Sequence, residues 1–203
     1  MTTATSPIAR PRPLADALLP RTATVSTALV IGGALLTAGA AQLAVPLWPV
    51  PITGQTLAVL LVGSALGARR GVLSMVLYVL LGLVGLPVFA DGASGAGVLL
   101  GPSGGYLLGF VAAAALVGRV AERFGDRRFT AALLSFVLGT VATFAVGMVW
   151  LAVALGLDLR HTLEYGLYPF VLGGLAKALV GAGVTSLGWT AALRRRRAPG
   201  TMD

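Results

Sequence analysis

Six apolar segments with almost no charged residues occupy most of the chain, and they restrict its fold more than any other feature. A run of about 20 apolar residues is long enough to cross a bilayer as a helix. These runs are continuously apolar rather than alternating, which favours helices over a membrane β-barrel. The predicted spans are Val25–Val45, Gln55–Ala68, Gly71–Leu86, Gly105–Ala121, Thr130–Leu155 and Pro169–Leu193. We therefore predict an all-α integral membrane protein with six transmembrane helices.

Composition supports the same class. Hydrophobic residues make up 57% of the chain and charged residues 11%, whereas roughly 25% of the residues in a soluble domain are charged. Six spans leave no room in 203 residues for a separate soluble domain. We predict one transmembrane domain at 25–193, a flexible cytoplasmic tail without a signal-peptide core at 1–24, and a basic cytoplasmic tail at 194–203.

Charge placement predicts the orientation, because Lys and Arg accumulate on cytoplasmic loops. Thirteen arginines fall on one predicted side: Arg10, Arg12, Arg21, Arg69, Arg70, Arg119, Arg123, Arg127, Arg128 and Arg194 to Arg197. The opposite side holds Arg160 together with Asp91, Asp158 and Glu164. Both termini are thus expected in the cytoplasm, in a multi-pass plasma-membrane protein. The net charge of +8 fits a lipid-facing basic surface better than nucleic-acid binding.

A glycine-rich, nearly uncharged loop lies between two apolar segments, from Leu86 to Phe110. It ends in Gly101-Pro-Ser-Gly-Gly-Tyr106, which brings backbone N–H groups and an aromatic ring with a polar tip to the start of the next helix. Such a loop can fold closely over a small ligand. The alternative is a tight connection whose glycines only permit a turn.

A second outward loop contains Pro46, Pro49 and Pro51, which stiffen its backbone. Trp48 offers a flat apolar surface, and Gln55 offers a donor and an acceptor that suit an amide-like or ureide-like ligand. Alternatively, Trp48 belongs to the interfacial aromatic belt and Gln55 only solubilises a helix end.

Lys177 lies within the apolar part of the last predicted span. A lysine at a helix centre costs about 2.5–3.5 kcal/mol on insertion scales, so such residues usually mark a ligand, an ion path or a partner charge. The alternative is that its long side chain reaches the outer interface.

Small residues in the first span suggest a contact with another helix. Ala28 and Gly32, and again Ala34 and Ala38, are spaced four apart and are expected to line one face. In a glycine- and alanine-rich chain this spacing also arises by chance.

Several catalytic motifs are absent from the sequence. There is no GxxxxGK[ST] nucleotide loop, no HExxH, no cysteine and one histidine. We therefore expect no enzymatic activity, no metal and no bound cofactor, and any ATP hydrolysis must come from a partner.

The segment PVPITGQTLAVLLVGSALGARRGVLSMVLYVLLGLVGLPVFADG, followed by GVLLGPSGGYLLGF, closely resembles the BioY family. That family comprises the biotin-specific substrate-binding (S) components of energy-coupling factor (ECF) transporters. The resemblance implies a six-helix fold, biotin as ligand, a transmembrane coupling subunit with two ATPases as partners, and contacts to the coupling subunit through small residues of the first helix. By this resemblance Gln55, Tyr106 and Lys177 match family positions near the pocket. The complete set of predicted substrate-binding residues is Trp48, Gln55, Phe89, Ala93, Ser94, Tyr106, Gly174 and Lys177. Two alternatives stay open: another small vitamin-like ligand, and a stand-alone secondary importer.

The sequence departs from the family at Gly174, where a Gly-Asp-x-x-Lys motif commonly has Asp, and at Ala93, where some members have Asn. Loss of a charge-assisted hydrogen bond costs about 1.5–3 kcal/mol. We predict weaker biotin binding than is typical of the family and a gain in affinity for Gly174→Asp. Calorimetric titration checks this, and an unchanged dissociation constant would show that position 174 does not contact biotin.

Overall fold

The computed structural model describes residues 12–197 as a helical bundle. Its helices within this range are α1 (Leu14–Leu18), α2 (Ala23–Ala41), α3 (Gln55–Leu66), α4 (Ala68–Leu83), α5 (Ala96–Leu100), α6 (Gly104–Phe124), α7 (Phe129–Leu155), α8 (Leu159–Gly166) and α9 (Tyr168–Arg197). Strands β1 (Ala44–Val45) and β2 (Ile52–Thr53) pair antiparallel, and a 3-10 turn covers Ala90–Gly92.

Each predicted span corresponds to a helix. Four helices, α2, α6, α7 and α9, are long and apolar enough to cross a membrane. The other two, α3 and α4, have 12 and 16 residues and match Gln55–Ala68 and Gly71–Leu86, the two shortest predicted spans. A helical multi-pass membrane protein is therefore confirmed, whereas the number of six spans stays a prediction.

Two differences between the approximate predicted boundaries and the helices have a clear local cause. The first span ends at Ala41, because Val45 belongs to the β1–β2 pair opposite Ile52. The third begins at Ala68 rather than Gly71, because Gly67, with φ of +81°, alone separates α3 from α4. The arginines at 69 and 70 thus lie in the first turn of a helix rather than in a loop.

Successive long helices run in alternating directions and define two ends of the bundle. The end that carries β1, β2, the 3-10 turn, α5 and α8 is here named the loop end. The end that carries α1, the starts of α4 and α7, and the last turns of α6 and α9 is named the arginine end. Side-chain hydrogen bonds cross each end, from Gln42 to the Phe89 carbonyl (3.1 Å) and from Trp189 to Asp126 (2.7 Å).

Helix α6 forms the centre of the bundle and packs against α3, α4 and α7. Its glycines permit this close approach, since a Cβ on Gly109 would lie 2.7 Å from the Thr143 carbonyl oxygen and one on Gly118 would lie 2.2 Å from the Ala68 nitrogen. Large apolar side chains instead cover the outer faces, as shown by Leu35 at 58% and Leu172 at 80% exposure. Such faces are suited to lipid.

The described part of the predicted N-terminal tail is folded. Helix α1 packs against α3 and α9, with Ala15 buried. Asp16 pairs with Arg21 (2.6 Å) and with Arg70. Burial alone raises the pKa of Asp16, but the hydrogen bonds and charges of the two guanidinium groups outweigh it and hold that pKa below its usual value. The prediction of a flexible tail is therefore wrong from residue 12 onwards.

We predict that Gly118→Ala destabilises the protein, because the added methyl group overlaps the backbone of Ala68. Overpacking of this kind costs about 1–3 kcal/mol. Thermal unfolding in detergent should show a lower midpoint for this variant than for Gly183→Ala, whose Cβ has open space on α9. Equal midpoints would mean that α6 and α4 can move apart at no cost.

Candidate functional site

A polar cavity of about 220 Å³ lies at the loop end. The loop before α3, the glycine-rich loop and the helices α3, α6, α7 and α9 contribute its walls. Its polar side chains are Thr53, Gln55, Thr56, Asp91, Ser103 and Tyr106. Its aromatic walls are Phe89, Phe110, Phe144 and Phe170. A few polar groups among apolar walls are typical of a site for a small, partly polar molecule.

Gln55 is buried in this cavity and its amide is held on both sides. The Thr53 hydroxyl donates to Oε1 at 2.7 Å, and Nε2 donates to the Tyr78 hydroxyl. An amide group has two donor hydrogens and two acceptor positions, so one donor and one acceptor remain for a ligand. The predicted donor and acceptor at Gln55 thus lie in the cavity wall.

Phe89 forms one wall of the cavity, and its ring has room there because residue 82 is glycine. Its ring packs edge-on against Tyr78, with the centroids 5.6 Å apart. A Cβ on Gly82 would lie 2.0 Å from the Phe89 ring. Gln42 at the end of α2 donates to the Phe89 carbonyl. The end of α2 therefore holds the backbone of Phe89, and α4 holds its ring.

The 3-10 turn after Phe89 brings an acidic side chain to the cavity. Asp91 lines the cavity and has φ of +54°, the left-handed conformation that Asp tolerates better than most residues. Ala93 lines the cavity as well. The neighbouring Ser94 is exposed and does not belong to the cavity lining.

Tyr106 stands at the start of α6 with its ring in the cavity wall. Its hydroxyl donates to the Gly166 carbonyl at 2.9 Å, which ties α6 to the end of α8. The ring packs against Phe144 and Phe170, with centroid separations of 5.8 and 6.3 Å. Tyr106 therefore presents its aromatic face to the cavity, and its hydroxyl is engaged.

Lys177 is not among the residues that line the cavity, and it contacts two residues that do, Thr53 and Thr56. Its Nζ donates to the Thr53 carbonyl and to the Thr56 hydroxyl, the latter at 3.1 Å. Among the side chains described, no carboxylate lies within ion-pair distance of Lys177. An ammonium group has three donors, so one remains. The side chain of Lys177 extends towards the loop end, where its head group is bonded to the segment before α3 and to the first turn of α3.

Gly174 lies outside the polar cavity, in the wall of an apolar groove of about 310 Å³ between α7 and α9. A Cβ added at Gly174 would lie 3.5 Å from the Thr140 methyl group, an ordinary van der Waals contact. Phe144 and Phe170 line both the groove and the cavity. The predicted gain in affinity for Gly174→Asp stays a prediction.

Trp48 is not part of the cavity lining. It is 74% exposed, and its ring contacts Tyr165 of α8 edge-on, with the centroids 5.8 Å apart. This position agrees with the alternative of an interfacial aromatic residue.

The two small-residue pairs of α2 lie on different faces. Ala28 and Gly32 are exposed, and a Cβ on Gly32 would meet nothing within 4 Å. Ala34 and Ala38 are buried in the core. Residues 28 and 34 are six positions apart, or about 240° around the helix. The prediction that both pairs line one contact face was wrong, and the exposed pair alone is free to meet a partner.

Known proteins match this chain over most of its length. The family model described as "BioY family" matches residues 12–194. The chain belongs to the BioY family. The biotin transporter BioY of Thermotoga maritima is 40% identical over 158 residues, which cover 78% of this chain and 88% of that protein. BioY2 of Lactococcus lactis, also named a biotin transporter, is 37% identical over 155 residues, which cover 76% of this chain and 85% of the relative.

A solved structure has the same fold. The crystal structure of the S-component for biotin from an ECF-type ABC transporter matches with a TM-score of 0.72 and 26% identity. The match covers 87% of this chain and 95% of that one. The predicted S-component-like fold and the family resemblance are thereby confirmed.

Sequence reasoning missed several residues of the site. Tyr78, Phe144 and Phe170 lie in apolar spans, where an aromatic side chain has the same pattern whether it faces lipid or a cavity. Thr53 and Thr56 flank Gln55, and their proximity to Lys177 depends on how α3 and α9 pack.

Proposed function

We propose that the protein captures biotin and takes it up across the membrane as the S component of an ECF-type transporter. The observation that carries the proposal is the polar cavity at the loop end of a chain that belongs to the BioY family. Relatives of similar length are named biotin transporters. The protein is thus a transporter component and not an enzyme.

The cavity supplies the groups that biotin requires. The two ureido N–H groups need acceptors, which the Asp91 carboxylate and the free acceptor position of Gln55 can provide. The ureido oxygen needs a donor, and the second hydrogen of the Gln55 amide is available. The sulfur-containing ring and the aliphatic chain suit the phenylalanine walls.

Lys177 adds a positive charge next to this wall. Its remaining donor suits either the carboxylate or the ureido oxygen of biotin, both of which accept hydrogen bonds. Without a described carboxylate nearby, an anionic ligand would supply the counter-charge that a half-buried ammonium lacks.

We further propose an orientation of the protein in the membrane and an energy source for transport. The loop end faces outwards, both termini lie in the cytoplasm, and α3 and α4 complete six spans of a plasma-membrane protein. The density of arginines at the opposite end supports this orientation. Because the sequence has no nucleotide-binding loop, we propose that two ATPases and a transmembrane coupling subunit supply the work of transport. Biotin is the transported ligand, and no cofactor is required.

A different vitamin-like ligand is the second candidate. Gly174 and Ala93 carry no polar side-chain atoms at positions where the family can have Asp and Asn. A displacement panel of biotin and other vitamins separates the candidates, since tight one-to-one binding of biotin alone supports the first.

We predict that Lys177→Met weakens biotin binding by roughly 10- to 150-fold, the equivalent of one charge-assisted hydrogen bond. Calorimetric titration of detergent-purified protein measures this. Arg160→Gln is the matched control, because it removes a positive charge at the same end from a side chain that is 83% exposed.

Titration of biotin amide in parallel identifies the group that Lys177 contacts. If Lys177 binds the carboxylate, biotin amide binds the unmodified protein more weakly than biotin does, whereas Lys177→Met binds the two ligands with equal affinity. If it binds the ureido oxygen, the variant weakens both ligands equally. Unchanged affinity for both ligands would contradict a role for Lys177 in binding.

The exposed pair Ala28 and Gly32 is the proposed contact with the coupling subunit. We predict that Gly32→Trp leaves the biotin affinity of the isolated protein unchanged and reduces its co-purification with coexpressed coupling subunit and ATPases. Gly183→Trp, at another position with open space for a side chain, is the control. Equal recovery of both complexes would place the interface elsewhere.

A further inference from the structure

A small notch of about 40 Å³ opens at the arginine end, far from the polar cavity. It is lined by Arg12, Ala17, Arg127, Trp189, Ala192 and Leu193. Arg12 precedes α1, Arg127 precedes α7, and the other large side chains belong to the last turns of α9. Three separate segments thus place two arginines around one notch whose other lining residues are apolar or aromatic.

The position of Arg127 is fixed by a chain of contacts that ends in the core. Asp126 is 1% exposed and accepts hydrogen bonds from Ser64 and from Trp189 Nε1, the latter at 2.7 Å. These bonds orient the indole ring. The guanidinium carbon of Arg127 lies 4.8 Å from the centroid of that ring, in a cation–π contact. The notch is therefore built on a buried, satisfied polar network.

The positive charge of the notch is not neutralised by the acidic side chains that the structure describes at this end. Asp16 pairs with Arg21 and Arg70. Glu122 accepts a hydrogen bond from the N–H of Ala68 at 2.9 Å. Asp126 accepts the hydrogen bonds from Ser64 and Trp189 described above. Neither Arg12 nor Arg127 has a carboxylate within ion-pair distance among the described side chains. Both guanidinium groups are exposed and therefore accessible to an anion.

The surroundings identify the kind of anion. Trp189, which is 3% exposed, and Leu193 line the notch near the end of a helix that is long and apolar enough to cross a membrane. Arginines at such a helix end lie within reach of anionic lipid head groups. Guanidinium groups bind phosphate oxygens in a planar, two-pronged geometry. A volume of 40 Å³ holds about three water-sized groups, enough for the free oxygens of one phosphate.

We propose that this notch binds the phosphate of an anionic phospholipid from the leaflet at the arginine end. On the proposed orientation this is the cytoplasmic leaflet, where anionic lipids attract basic segments. The lipid phosphate bridges Arg12 and Arg127 and thereby joins the segment before α1 to α7 and α9.

The experiment compares ligands and variants in detergent-purified full-length protein. Native mass spectrometry measures the apparent dissociation constant for phosphatidylglycerol, with phosphatidylcholine and inorganic phosphate as competing probes. The variants are Arg12→Gln and Arg127→Gln. Arg123→Gln is the matched control, since it removes the same charge from an exposed side chain of α6 outside the notch.

We expect phosphatidylglycerol to bind the unmodified protein and the control equally, and each notch variant about tenfold more weakly, as expected for loss of a charge-assisted hydrogen bond. Biotin affinity should stay unchanged in all variants, which separates this test from that of the proposed function.

Three results would overturn the proposal. The first is equal weakening in the control and the notch variants, which would mean diffuse attraction to the arginine end. The second is equal binding of phosphatidylcholine, which would remove the role of lipid charge. The third is displacement of phosphatidylglycerol by inorganic phosphate at similar concentration, which would assign the notch to free phosphate.

Discussion

The loop end of the bundle depends on the hydrogen bonds of one ammonium group. Lys177 cannot stay in an apolar span without acceptors, and it finds them in the Thr53 carbonyl and the Thr56 hydroxyl. These bonds fasten the start of α3 to α9. The Thr53 hydroxyl then holds the amide of Gln55, and that amide holds Tyr78 on α4. One half-buried ammonium group therefore organises the polar side of the cavity across three helices.

The two ends of the bundle use different means to hold together. At the loop end, aromatic rings and single hydrogen bonds join short elements, as in the contact of Tyr106 with Gly166 and that of Trp48 with Tyr165. At the arginine end, acidic side chains join α1, α3, α4 and α9 through Asp16 and Asp126.

The helices could be predicted from the sequence because the length of an apolar run is a local property, and each of the six predicted spans is a helix. Features that depend on how the helices pack could not be predicted in this way. Arg69 and Arg70 suggested a loop, yet Gly67 alone makes the turn. Four-residue spacing showed that Ala34 and Ala38 share a face but could not show that this face is buried. Gln55, Phe89, Ala93 and Tyr106, all predicted as binding residues, line one cavity together, whereas the contribution of Phe144 and Phe170 depends on the three-dimensional arrangement of α7 and α9.

The fit between Gly82 and Phe89 has a consequence for how this cavity can change. The ring of Phe89 occupies the space in which any side chain at position 82 would lie, so the two positions are not independent. A substitution at 82 would displace the ring into the cavity and alter its shape, although residue 82 itself is not among the residues that line it. The shape of the cavity, and with it the choice of ligand, thus depends in part on position 82 of α4, which does not itself line the cavity.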